Sequence, residues 1–292
     1  MLTQPQSGQK ELRREPLDII YILGPGHCGS TLLNLCLDRH SAITGVSEIV
    51  KLNRKRPGWS GDENAMDSPF WNEVDQVLRE SEAFGLGDIP FHLAATPQGA
   101  GEAVLAQNHA ALRAVLSVSC KRIVADASKD LRRLEKMLQS PLFRVRVIYL
   151  VRDGRAVVHA YRRKYGDWWS PWRKLMQLDR SAHELKAQHN PKAWLTVRYE
   201  DMVKDLERTL GRICDFSNIS FETDMLKPDT RTFNGLGGNR LRNRPIEKVK
   251  LDTAWQTEMS PSIRMLTALA VWKFNHRHGF ETPLSVQRHA FI

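Results

Sequence analysis

Five short apolar runs, rich in β-branched residues, punctuate the chain: Ile19 to Leu23, Ala42 to Val46, Arg122 to Ala125, Val145 to Val151 and Trp194 to Val197. Their length and composition predict strands. Between them, apolar positions recur at helical spacing over Ser30 to Asp38, Glu102 to Val118, Leu131 to Leu138, Arg155 to Lys164 and Leu206 to Phe216. Strand and helix therefore alternate, which predicts a doubly wound α/β fold, a parallel β-sheet flanked by helices. At 292 residues without a central linker, the chain reads as a single domain. Its expected extent is 18–285, between a flexible N-terminal segment 1–17 and a C-terminal tail 286–292. Residues 53–72, with Pro57, Gly58, Gly61 and Pro69, lack periodicity and read as a loop or lid. A second variable segment, on the acceptor side, is expected at 165–190.

Ligands of such sheets bind beyond the carboxyl ends of the strands. The residues found there are Gly24 to Thr31, Ser47-Glu48, Asp126 to Lys129, Arg152 to Arg155 and Tyr199 to Asp201. Any one of these clusters is also what a solvated loop end looks like. Their convergence on one sheet edge is more specific. Gly24 to Ser30 joins a strand to a helix through a glycine-rich turn, which presents backbone N–H groups to an anion. The spacing of Gly24 and Gly29 reproduces the phosphate loop of nucleoside triphosphatases, so the fold is expected to be P-loop-like. Ser30, however, stands where that loop has its lysine. The substitution argues against ordinary ATP or GTP hydrolysis and leaves room for a shorter anionic chain.

The segment Gly26-His27-Cys28-Gly29-Ser30-Thr31-Leu32-Leu33 resembles the 5′-phosphosulfate loop of sulfotransferases, and Leu150 to Ala156 resembles their 3′-phosphate motif. The likeness continues through Asp126 to Lys129, Arg198 to Met202, Gly237 to Arg240 and Trp255. It is closest to the tyrosylprotein and bacterial carbohydrate-type branches. It implies 3′-phosphoadenosine 5′-phosphosulfate as donor and no metal. Two departures stand out: His27 replaces an arginine or lysine, and Ala160 replaces a serine eight residues after Arg152.

The resemblance implies specific roles. Gly26, His27, Cys28, Gly29, Ser30 and Thr31 would hold the 5′-phosphate and sulfate oxygens, although Ser30 or Thr31 could equally cap the following helix. His27 would donate to the leaving oxygen or be an ordinary turn histidine. Lys129 would stabilise the charge that develops in the transition state. Arg152 would fork onto the 3′-phosphate, with Lys164 compensating for Ala160. Tyr199 would contact adenine or cap the sheet. Asn239, Arg240 and Arg242 would close over the nucleotide. Glu48 is the candidate general base, on the expectation that a right-handed crossover sets the end of the second strand beside the first. Trp59 to Trp71 and Trp168, Trp169 and Trp172 are candidates for acceptor contact or for packing.

A net charge of +10 suits a polyanionic partner. No nucleic-acid-binding signature accompanies it, so the expected partners are the nucleotide donor and a small-molecule, carbohydrate or peptide acceptor, with a homodimer left open. Cys28, Cys36, Cys120 and Cys214 form neither a disulfide framework nor a zinc spacing, and no membrane span or signal peptide is read; the expected location is cytoplasmic. Two other readings remain at this point. One is a P-loop-type kinase, which a chelator would stop. The other is a catalytically inactive nucleotide-binding module on the same scaffold.

Overall fold

The computed structural model describes residues 15–52, 68–93, 101–167, 170–238, 246 and 249–280. Alternate side chains of a strand leave it in opposite directions. In β1 (Leu17–Leu23), Ile19, Tyr21 and Leu23 enter one hydrophobic layer while Ile20 and Ile22 enter another, so both faces of the sheet are covered. The partners are β2 (Ile43–Ser47), β3 (Ile123–Asp126), β4 (Phe143–Val151) and β5 (Trp194–Arg198), all parallel, in the order β2-β3-β1-β4-β5.

The helices, in chain order, are α1 (Ser30–Asp38), α2 (Pro69–Ser81), α3 (Gly101–Ser119), α4 (Leu131–Gln139), α5 (Gly154–Tyr165) and α6 (Ser170–Gln188). They continue with α7 (Tyr199–Lys204), α8 (Leu206–Ser217), α9 (Ala254–Glu258), α10 (Pro261–Ala270) and α11 (Trp272–Arg277). The first layer takes its apolar side chains from α2, α3, α4 and α6, and the second takes them from α1, α7 and α8. Each fully buried Leu, Ile or Val in these layers contributes about 1.5–3 kcal/mol. No helix among the described residues is long and apolar enough to cross a membrane.

Two expectations are corrected. The second strand does not lie beside the first: β3 sits between them, pairing with β2 on one side and β1 on the other. All four residues of β3 are buried, so it belongs inside the sheet, whereas β2 carries Gly45 and a register shift near Ser47 that suit an edge. The segment 53–72 is not loop throughout, because α2 begins at Pro69, where a proline at the first helical position is compatible with the helix. Residues 53–67 lie outside the described residues, as do 281–292.

Candidate active site

Because every strand is parallel, the five carboxyl ends open onto one edge. Gly24 to Gly29 leaves β1 there and starts α1. Gly29, with φ 97°, is the N-cap of α1, and no side chain caps that end. A Cβ at Gly29 would run into the Tyr199 ring, and one at Gly26 into the Tyr161 hydroxyl. The loop thus needs glycine for its backbone at one position and for close packing at both. The uncapped first turn of α1 leaves N–H groups available to an anion. Ser30 does not cap the helix; its Oγ accepts instead from Lys129 Nζ at 3.1 Å.

Lys129 is the hub. Its ammonium also donates to Glu48 Oε1 at 2.7 Å, and Glu48 Oε2 pairs with Lys51. Burial alone would raise the Glu48 carboxyl, but the ammonium groups of Lys129 and Lys51 outweigh it and hold the acid below the ordinary glutamate range. Glu48 reaches this position although β3 intervenes, because β3 is short and the chain after it turns back at Lys129, whose φ is 58°. That left-handed turn is braced on both sides. Asp126 Oδ1 accepts from Ser128 N at 2.8 Å, and the Tyr21 hydroxyl both donates to Asp130 O at 2.9 Å and accepts from Asp130 N at 3.0 Å. Asp126 Oδ2 is held in turn by Arg133 Nε at 3.0 Å, with both side chains fully buried.

Arg152, 6% exposed, leaves the end of β4. Its Nη1 donates to His27 O at 2.9 Å, and its Nη2 to Asp252 O at 3.1 Å and Oδ2 at 3.0 Å. The guanidinium carbon lies 4.7 Å from the centre of the Tyr199 ring. Nε is buried without a hydrogen-bond partner among the described residues, a donor left over for a ligand. The His27 ring meets Tyr161 edge-on, with centroids 5.0 Å apart. Burial, then the charges of Lys164, Arg152, Lys129 and Arg163, pull its pKa down to about 4. At neutral pH His27 is therefore an uncharged donor and does not replace a fixed cation.

These groups line one cleft of about 670 Å³. Glycine loop, Glu48, Lys129, Arg152, Lys164 and Tyr199 share it, with Ala160 beside Tyr161. Cys28 lies beneath the loop, fully buried. A later segment reaches the same edge: Leu236 N donates to Val46 O and Glu48 N to Leu236 O, bringing Gly238 against Thr31. Asn239, Arg240 and Arg242, which follow it, lie outside the described residues, as do Trp59, Trp168 and Trp169. Trp71 is a core residue, donating through Nε1 to Asn234 O at 2.8 Å, and Trp172 packs against the same layer. Sequence reasoning missed Lys51, Tyr161 and Asp252. Lys51 and Tyr161 are neighbours of singled-out residues at helical spacing, whereas Asp252 carries no local signal.

Among protein families, the one described as “Sulfotransferase family” has a sequence profile that matches residues 18–223. Among solved structures, the sulfotransferase domain of the Synechococcus PCC 7002 olefin synthase is similar, at TM-score 0.57 and 20% identity over 94% of this chain and 99% of that one. The sulfotransferase domain from the curacin biosynthetic pathway matches at TM-score 0.57 and 17% identity, covering 92% of this chain and 100% of that one. A sulfotransferase from Mycobacterium avium matches at TM-score 0.51 and 12% identity, covering 92% and 78%. At these identities the likeness is one of fold. No match was found among curated proteins.

Proposed function

The chain belongs to the sulfotransferase family, and from that premise we propose that it moves the sulfuryl group of 3′-phosphoadenosine 5′-phosphosulfate to a hydroxyl or amine of a small-molecule, carbohydrate or peptide acceptor. The observation that carries this reading is the Lys129 ammonium, bound at once to Ser30 in the first turn of α1 and to Glu48. Anion loop, cation and carboxylate are thereby joined at one point of the sheet edge. The residues suit the donor: Arg152 keeps a buried Nε without a partner among the described residues, and the glycine loop leaves no room for a Cβ at Gly26 or Gly29.

In the proposed reaction the acceptor oxygen or nitrogen forms a bond to sulfur as the bond from sulfur to the 5′-phosphate oxygen breaks. Glu48 takes the acceptor proton; Lys129 and the α1 amides meet the charge that develops on the leaving phosphate. His27 gives a single neutral N–H beside them. Arg152 and Lys164 hold the 3′-phosphate, with Tyr199 beside adenine. Asn239, Arg240 and Arg242 would complete the enclosure. A carboxylate after the second strand favours the tyrosylprotein-type arrangement of base and loop.

The test is transfer of labelled sulfuryl to a panel of phenols, sugars and peptides in the presence of a chelator, alongside calorimetry with 3′,5′-diphosphoadenosine. Glu48→Gln is expected to lower turnover about 10²- to 10⁴-fold while nucleotide affinity stays within about threefold. Nucleotide binding without transfer to any acceptor would leave the inactive-module reading, and activity abolished by chelator would leave the kinase.

A further inference from the structure

Two helices begin at the cleft, after the neighbouring strands β1 and β4, and their first turns are opposites. α1 has no side-chain cap. α5 is closed, because three consecutive N–H groups at its start each donate to a side chain. Asp153 N donates to Glu200 Oε1 at 3.0 Å, Gly154 N to Asn275 Oδ1 at 2.9 Å, and Arg155 N to Asp153 Oδ1 at 2.8 Å. These three amides are spent, so they hold no anion. What this turn brings to the cleft is Arg152, the residue just before it.

Starting a helix does not require so much. An aspartate N-cap satisfies a first turn by itself, as Asp205 does for α8, and Asp153 serves α5 in the same way. The additional bonds come from remote elements: Glu200 belongs to α7, and Asn275 of α11 lies 121 residues from Gly154. Asn275 makes two of them, since its Nδ2 also donates to Asp153 Oδ1 at 3.0 Å. The residue is buried, and a buried amide is satisfied only where its donor and its acceptor both find partners. Gly154 rests directly on α11: a Cβ there would meet Val271 Cβ at 2.8 Å and Asn275 Oδ1 at 3.0 Å.

α11 is itself anchored. Beyond Asn275, Arg277 Nη1 and His278 Nε2 both donate to Asp179, a fully buried carboxylate of α6 that also accepts from the Tyr149 hydroxyl of β4. The stretch from Val271 to His278 is thus tied at one end to the turn after Arg152 and at the other, through Asp179, to β4 itself. Arg152 is held from two directions. Glu200 and Asn275 fix the backbone that follows it, while His27 O and Asp252 engage its guanidinium. A guanidinium fork onto phosphate is directional, so the backbone that carries it sets its aim.

We infer that Asn275 is a positioning residue for the donor nucleotide: with Glu200 as its counterpart, it fixes the turn that aims Arg152, and so sets the preference for a nucleotide bearing a 3′-phosphate. This rests on the sulfotransferase reading above, in which Arg152 meets that phosphate. Asn275 does not line the cleft, so it acts through the turn alone.

The experiment is calorimetry on the full chain with 3′,5′-diphosphoadenosine and with adenosine 5′-monophosphate, which lacks the 3′-phosphate. The readout is the ratio of the two affinities, because a variant that only lowers the folded fraction weakens both nucleotides alike. The wild-type protein is expected to prefer the diphosphate about thirtyfold. Asn275→Ala should lower that ratio to about fivefold, with monophosphate affinity kept within about twofold. Asn275→Ser, whose hydroxyl can bond within its own helix, reads the same ratio where Asn275→Ala does not fold by circular dichroism. Arg152→Met should lower the ratio by itself, and adding Asn275→Ala should then change it no further. A ratio that stays near its wild-type value in the folded Asn275 variant or in Arg152→Met overturns the inference while the donor reading stands. So does an Asn275→Ala effect that persists undiminished beside Arg152→Met. A folded wild-type protein with no preference for the 3′-phosphate overturns both.

Discussion

Glu48 has one carboxylate oxygen on Lys129 and the other on Lys51, and that arrangement fixes when it can act. Its pKa is held below the ordinary value of 4.5, so in the free protein Glu48 is already ionised at neutral pH. The sign follows from linkage: the two ammonium groups stabilise the folded state above the unfolded pKa, and that contribution is lost as pH falls through the lower, folded value. For a reaction that needs Glu48 as base, the acid limb of kcat/KM, which reports the free enzyme, is expected below pH 4.5. Lys51→Met removes one of the two ammonium groups and should move that limb upward. A limb that stays in place in this variant would mean that another group sets it. His27 behaves differently. With a pKa of about 4, it adds no charge to the cleft at neutral pH.

At the scale of elements, the turn after β3 decides whether Lys129 faces the loop. Arg133 enters it from α4, its Nε on Asp126 at 3.0 Å and its Nη1 on Asn108 Oδ1 at 2.6 Å and Phe91 O at 3.1 Å, tying β3 to α3 and the chain before it. Arg133→Met leaves the Asp126 carboxylate buried and unpaired, and should cost about 3–5 kcal/mol in urea denaturation. Adding Asp126→Asn should recover part of that loss, because the stranded charge is then gone. The strands and the helices that follow them were legible in the sequence because the sheet is covered on both faces, so the buried stretches of β1 and β4, Ile19 to Leu23 and Val147 to Val151, are unbroken apolar runs. The onset of α2 was hidden by Pro69, a residue that punctuates loops as readily as it opens helices. The mixed polar pattern of α6 hid that helix. Strand order was not legible: β3 enters between β2 and β1 through contacts about a hundred residues apart, which no local pattern encodes. For the same reason the residues of the site could be named one by one, while the pairing of Glu48 with Lys129, or Arg152 with Asp252, could not.

Across the whole molecule, the cleft gathers positive charge from three strand ends and two helices, and Asp252 is the acid that answers Arg152 within it. The carboxylate is drawn below its ordinary pKa: burial opposes this, and the hydrogen bonds from Arg152 and Ala254 N, with the Arg152 charge, together outweigh it. A 3′-phosphate that is to take up Arg152 Nη2 must therefore displace a charged competitor. Asp252→Asn isolates that competition. The amide oxygen can still accept from Ala254 N, as Asp252 Oδ1 does at 3.2 Å, so that hydrogen bond at the start of α9 is kept. The backbone carbonyl still accepts from Arg152, while the negative charge and the side-chain hydrogen bond from Arg152 Nη2 are lost. The variant is expected to bind 3′,5′-diphosphoadenosine about tenfold more tightly at about 0.05 M salt, with the advantage falling to about threefold at about 0.2 M as screening sets in. Calorimetry at the two salt concentrations checks both numbers. Unchanged or weaker binding would mean that Arg152 keeps Asp252 when the nucleotide arrives, and the 3′-phosphate would then have to rest on other cations of the cleft, Lys164 first among them.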